Sequence, residues 1–339
     1  MTAFLRVFLA APVLVTALAA VPTPAAIGAP AGRNSYANRP DVQLFVREMA
    51  EHHGFVGSEL AYLFARVRRQ QSALQAIAPP KDPRARSWQA YRARFVNEAR
   101  IREGVAFWQN HATVLERAAR EQGIPEEIVV AILGIETLYG RNSGGYRVID
   151  ALVTLAFDYP PRAEYFRSEL EQYLLFARDQ GIDVFSVKGS YAGAIGIPQF
   201  MPGSYRRYAV DFDGDGVIDL RASPADAIGS VANFLRQHGW RPGEPIALPA
   251  HVNGAAHHAM LDAGIEPKFP MRELRHYGVE TRTGLALETP VALVDFETPG
   301  APTEYRLGLP NFYVLTRYNR ASFYAAAVMD LAAAIRAAR

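Results

Sequence analysis

The sequence predicts a mainly α-helical protein with a small α+β segment set before its last helix. Three observations predict it. Apolar residues recur at helical spacing over most of residues 41–240. From 241 to about 318 Pro and Gly become frequent and strand-like runs appear. The last stretch, "ASFYAAAVMDLAAAIRAAR" (321–339), returns to an amphipathic helical pattern.

Composition bounds the function before any motif is read. The chain has 339 residues, half of them hydrophobic, which suffices for a sizeable core. Its net charge is +2 and its 36 Lys and Arg residues are dispersed, so no nucleic-acid partner is expected. There is no cysteine. That excludes a disulfide framework, a Cys-zinc site, a catalytic thiol and a lipid-bearing Cys.

Residues 1–25 read as a signal peptide: one early Arg, an apolar stretch, then small residues with A-L-A at 17–19 as the cleavage site. Pro12 and Thr16 interrupt the apolar run, which falls short of the ~20 residues a spanning helix needs. The expectation is an exported, soluble periplasmic monomer of a Gram-negative type envelope, without a stable membrane anchor. A linker (26–40) follows.

An N-terminal helical region (41–110) opens with Leu44, Phe45, Met49, Leu60, Leu63, Phe64 and Val67 at helical spacing; "APPKDPRARS" (78–87) is a loop. One long helical stretch is predicted from Trp88 to about Gln122, and a core unit spans 111–240. "GIPEEIVVAILGIETLYG" reads as a capped helix with Pro125 in its first turn, Glu126 and Glu127 at the positive end and Gly140 as the stop. Further helices are predicted over 148–157 and 163–180. "KGSYAGAIGIPQFMPGSY" (188–205) is a Gly-rich connection with a short helix, and Ser223 caps a helix beginning at Pro224. In the α+β region (241–310), "VALVDFE" and "EYRLGL" read as strands. A C-terminal helix (311–339) is expected to pack back on the core.

Glu136 follows Ile132, Val129 and Ile128 by four, seven and eight residues, on the face of the apolar stripe. Desolvation there raises a carboxyl pKa and keeps the group protonated, as a general acid requires. By spacing alone, a structural Glu paired with Arg141 is an equal reading.

"GIETLYGR" with "KGSYAGAIGIPQFMPGSY", "YAVDFDGDGVIDLRASPADAIGSVANFLRQHGW" and "NFYVLTRYN" resembles the membrane-bound lytic murein transglycosylase B family, glycoside hydrolase family 103, from about Val42 to the C-terminus. The resemblance implies a lysozyme-like catalytic core acting on peptidoglycan glycan strands, with cell-wall synthases as candidate partners. It places the catalytic Glu on Glu136. It places sugar-holding side chains on Ser190 and Gln199, and cleft residues on Tyr91, Tyr318 and Asn319. Where the family has "YPRRAEYF", this chain has "YPPRAEYF", so Arg162 remains and the first Arg is Pro161. The cleft Tyr after "SVAN" is Phe234, a stacking ring without a hydroxyl. Plainer readings stand beside these: Tyr91 as a helix-packing ring, Tyr318 as a core residue with its hydroxyl satisfied, Arg162 paired with Glu164 or Glu169.

Ordinary glycosidases use two carboxylates flanking the bond. Asp150 and Asp158 are the candidates for a second, neither with an obvious claim. The family's chemistry needs one: Glu136 protonates the glycosidic oxygen, then deprotonates the muramoyl C6 hydroxyl, which closes a 1,6-anhydro ring.

"DFDGDGVID" sets Asp211, Asp213 and Asp215 at EF-hand positions one, three and five, with Gly216 at the turn and the carbonyl of Val217 next. Position twelve is Ala222 rather than Glu. The resemblance implies a longer loop (211–226) closed by Asp226, and hence a structural Ca2+; the alternative is that Asp226 caps its own helix. His251, His257 and His258 match no common zinc spacing. No organic cofactor is expected. The rival functions are a non-catalytic wall-binding scaffold, a hydrolytic muramidase and a calcium-regulated interaction protein.

Overall fold

The computed structural model describes residues 35–78, 87–282 and 284–339. The expected signal peptide and all but the end of the linker lie outside them. Three short helices come first, α1 (Pro40–His53), α2 (Gly57–Arg66) and α3 (Gln71–Ile77); Val42, Phe45, Met49, Leu60 and Phe64 are buried, whereas Leu44 faces outward.

The predicted long helix is three: α4 (Trp88–Phe95), α5 (Glu98–Asn110) and α6 (Ala112–Gln122). Asn97 makes the first break, its side chain accepting from the Arg100 amide as a new N-cap. His111, at φ −121°, makes the second.

The central helix α7 (Glu126–Thr137) is buried along most of its length. Pro125 stands one residue before it, as its N-cap. It ends three residues before Gly140, because Leu138 and Tyr139 turn left-handed at φ 52° and 59°. A two-residue strand β1 (Tyr146–Arg147) leads into α8 (Val148–Asp158) and α9 (Ala163–Asp179). Then β2 (Lys188–Gly189) pairs antiparallel with β1, and α10 (Pro202–Tyr208) and α11 (Pro224–Gln237) follow. Ser223 caps α11 and Pro224 occupies its first turn, as the sequence predicts.

The remaining strands are β3 (Ala247–Val252), β4 (Phe269–Pro270), β5 (Val279–Glu280), β6 (Pro290–Phe296) and β7 (Glu304–Gly308), with α12 (His258–Asp262) between β3 and β4. They form one antiparallel sheet in the order β4-β6-β7-β3-β5. Alternation along β6 joins two cores: Val291 and Leu293 pack in the small one, Val294 and Phe296 in the main one.

The expected single C-terminal helix is two, α13 (Pro310–Tyr318) and α14 (Ser322–Ala338), bent by 107° at a short break. Alanines at 325–327 and 332 leave little side-chain bulk, and α14 lies against α7, α5, α13 and α4. Among the described residues no single helix is long and apolar enough to cross a membrane.

Candidate active site

Glu136 sits one residue before the end of α7, partly buried. Its position is set by the turn that follows. Tyr139 folds back so that its hydroxyl donates to the Arg100 carbonyl at 2.8 Å. The ring fits only because Gly104 and Gly134 lack side chains: a Cβ on either would lie 2.5 Å from the Tyr139 oxygen. Thr137 donates to the Ile197 carbonyl at 2.7 Å and accepts from the Gly140 amide at 2.9 Å. Left-handed non-glycine residues cost about 1–3 kcal/mol each and are retained where surrounding contacts over-determine them. Among the described residues there are three, Leu138, Tyr139 and Gln199, all around this carboxylate's helix end and the loop it binds.

Burial pushes the Glu136 carboxyl from its usual 4.5 up to about 7. A hydrogen bond from the Tyr324 hydroxyl to Oε1, 2.7 Å, pulls the other way. Among the described residues no second carboxylate contributes to its electrostatics. The Arg141 alternative is excluded, since Arg141 pairs with Glu103 at 2.6 Å. Asp150 and Asp158 are both engaged elsewhere. Asp150, 1% exposed, accepts from the Arg68 amide, Gln70 and Arg147. Asp158 accepts from Tyr36, Arg39 and Arg69. They tie the N-terminal helices to α8.

Tyr324 was invisible to spacing arguments, 188 residues from its partner. Its only signal was a phenol in the Ala-rich apolar helix α14, where a buried hydroxyl needs an acceptor. Tyr318 stacks nearly parallel to it, with ring centroids 6.2 Å apart and planes 11° from parallel. The Tyr318 hydroxyl donates to the Pro198 carbonyl at 2.5 Å, so the plainer reading of that hydroxyl holds. Burial, then the Glu136 charge, raises the pKa of both phenols and of Tyr91. Tyr91 also packs as the plainer reading expects, stacked on Trp88 at 6.4 Å. Asn319 is exposed at the end of α13.

The Gly-rich connection is held by its own polar groups. Ser190 Oγ accepts from the Ala192 and Ala194 amides at 3.3 and 3.0 Å, leaving its proton to donate. Gln199 Nε2 donates to the Ser143 and Gly196 carbonyls at 3.1 and 2.9 Å. With those hydrogens engaged, its amide oxygen is what a ligand can use, as an acceptor. Arg162 makes no ion pair with Glu164 or Glu169 and lies 4.3 Å over the Tyr165 ring.

Phe234 lies deeper than an open cleft ring would. It is 5% exposed, enclosed by Phe200, Tyr208, His238 and Tyr318. The ring packs inward, with its centroid 4.9 Å from that of Tyr318.

In the acidic loop, carboxylate oxygens of Asp211, Asp213 and Asp226 lie within 4.8 Å of one another. Such hard oxygen donors fit Ca2+. Asp215 is outside that group; its Oδ1 accepts from the Val217 amide at 2.8 Å. Asp226 does not cap its helix. It is wholly buried and closes the loop, accepting from the Phe212 and Asp219 amides at 2.7 and 2.8 Å. The residue after Asp219, Leu220, accepts from the Ile197 amide at 2.8 Å through its carbonyl, so the acidic loop and the Gly-rich connection share an anchor. His257 Nδ1 lies 3.0 Å from the Gly254 carbonyl, and among the described residues no histidine joins a metal-type group.

The Transglycosylase SLT domain family matches residues 37–333. Membrane-bound lytic murein transglycosylase B of Escherichia coli (strain K12) is 42% identical over 313 residues, 90% of this chain and 85% of that protein. The catenated lytic transglycosylase SltB1 of Pseudomonas aeruginosa superposes with a TM-score of 0.83 at 50% identity, covering 89% of this chain and 99% of that one. Escherichia coli Slt35 in complex with calcium superposes with a TM-score of 0.78 at 40% identity, covering 90% and 95%.

Proposed function

Since the chain belongs to the Transglycosylase SLT domain family and is a lytic transglycosylase acting on peptidoglycan, we propose that Glu136 serves it first as acid and then as base. The observation that carries this is a carboxyl raised to about 7 by burial, with no second carboxylate among the described residues acting on it. Near neutral pH such a group is in part protonated and can deliver its proton to the glycosidic oxygen between N-acetylmuramic acid and N-acetylglucosamine. The bond to C1 then breaks. The resulting carboxylate, stabilised by the Tyr324 hydrogen bond, takes the proton of the muramoyl C6 hydroxyl, and that oxygen bonds C1. A 1,6-anhydro ring forms, the proton returns to Glu136, and no water is consumed. A lone acid among the described residues suits the non-hydrolytic reaction better than a two-carboxylate hydrolysis. The raised acid disfavours a non-catalytic scaffold.

Ser190, through its hydroxyl proton, and Gln199, through its amide oxygen, are suited to hold the sugar and its acetamido group. Tyr91, Arg162, Tyr318 and Asn319 are assigned to the cleft. Asp211, Asp213 and Asp226, with the Val217 carbonyl, are suited to a structural Ca2+, as the calcium complex of Slt35 supports. Asp215 would join only by giving up its bond to the Val217 amide. Acting on peptidoglycan supports residence in the periplasm, and hence export.

Glu136→Gln tests the assignment. The isosteric amide cannot donate and retrieve a proton, so cleavage of sacculi should fall at least about 100-fold with the fold retained. Turnover within about tenfold of the parent would remove Glu136 from the mechanism.

A further inference from the structure

Beside Tyr91 the structure has a hollow of 640 Å³ whose walls come from four parts of the chain: α4, Ile265 between α12 and β4, the end of β6, and the break between α13 and α14. The walls are pinned together by the Trp88 amide, which donates to the Glu297 carbonyl at 2.8 Å. Four charged side chains line it: Arg94, Arg320, Asp295 and Glu297. Arg94 is one helical turn beyond Tyr91 on α4, on the same face. Asp295 and Glu297 flank Phe296, which is 1% exposed, so strand alternation turns both carboxylates away from the core.

Among the described residues none of these four makes an ion pair, with one another or with any other group. By contrast, Arg92 and Arg306 both pair with Asp330. Two cations and two anions that face one cavity without neutralising each other suit a ligand carrying both signs. A bare glycan strand offers hydroxyls, acetamido groups and one lactyl carboxylate per muramic acid; it has no ammonium. The peptide stem on each muramoyl lactyl group has both, in its terminal carboxylates and the free amine of its diamino acid.

We propose that this hollow is a stem-peptide subsite, with Arg94 and Arg320 taking stem carboxylates and Asp295 and Glu297 taking the ammonium. The proposal rests on the peptidoglycan reading above, because the hollow adjoins Tyr91, whose hydroxyl feels the Glu136 charge. Arg320 adds a link to the rest of the cleft, since its charge reaches Tyr165, on which Arg162 lies.

The test uses the full chain carrying Glu136→Gln, so that bound substrate survives whatever the products of the active enzyme are. Calorimetry compares two soluble fragments of equal glycan length, one with peptide stems and one stripped of them by an amidase. The stems should tighten binding about tenfold or more, as charge-assisted contacts do. Adding Arg94→Ala and Arg320→Ala should abolish that gain while the stripped fragment binds as before. Asp295→Asn with Glu297→Gln should reduce the gain only for stems with a free amine. The proposal is overturned if stems add nothing, if the gain survives the double Arg variant, or if that variant weakens the stripped fragment equally. Reducing-end products from the active enzyme would instead overturn the non-hydrolytic reading and leave the subsite standing.

Discussion

The Tyr324 hydroxyl donates to Glu136 Oε1 at 2.7 Å, joining the C-terminal helix to the end of the central one. The bond is stronger to the carboxylate than to the carboxylic acid, so it lowers the Glu136 pKa against the larger effect of burial.

Tyr324→Phe should therefore make Glu136 a weaker acid. The alkaline limb of kcat/KM, expected near pH 7, should move upward by as much as about one pH unit, the worth of one buried hydrogen bond. A pH-rate profile checks this. A limb that stays put or moves down would mean the phenol does not donate to Glu136 in the working enzyme.

The same burial couples Glu136 to stability. Its folded pKa, about 7, is above the unfolded value of 4.5, so its favourable contribution is complete below pH 4.5 and is lost as pH rises toward 7. Glu136→Gln never ionises and keeps an acceptor for Tyr324. Its stability advantage over the parent should grow across that window, to about 3 kcal/mol at pH 8. Denaturant unfolding at pH 4.5 and pH 8 measures it; an advantage that does not change with pH would refute the buried-acid account.

Gly134→Ala should disturb catalysis through the turn rather than through substrate contact. A Cβ there would meet the Tyr139 hydroxyl at 2.5 Å and its ring at 2.6 Å. Expelling the ring releases the left-handed turn that fixes the end of α7. Overpacking of this kind costs about 1–3 kcal/mol. Turnover should drop together with melting temperature, and an unaffected kcat would show that the wedge does not position Glu136.

Calcium should raise the melting temperature of the parent relative to chelator, by an amount equivalent to about 2.7 kcal/mol at a hundredfold excess over its dissociation constant. Asp213 accepts from Ser223 and an amide at the loop's exposed side, so Asp213→Ala should remove the calcium increment and little else. Asp226→Ala should destabilise the protein even in chelator, since two backbone amides lose their acceptor inside the fold. Equal behaviour of the two variants would contradict the division of roles.

How much of this was legible in the sequence follows the range of the forces involved. Glu136 stood out because helical periodicity is local, and Ser223 and Pro224 marked a helix start for the same reason. The helix breaks at Asn97 and His111 went unread because both residues are acceptable inside helices and only their backbone geometry here stops them. Leu138 and Tyr139 ended α7 early because tertiary packing against Gly104 and Gly134 outweighed their preference for right-handed backbone. Phe234 read as a cleft ring by its place in a motif, yet burial is decided by neighbours far along the chain. Tyr324 and the gathering of four charged side chains at the hollow depend wholly on the long-range course of the chain.

The central claim is that one carboxyl performs both proton transfers and that the sugar's own C6 hydroxyl replaces water. Mass spectrometry of muropeptides released from purified sacculi in heavy-oxygen water tests it most directly. The account predicts 1,6-anhydromuramoyl ends lacking the solvent label. Reducing ends that carry the heavy oxygen would contradict it.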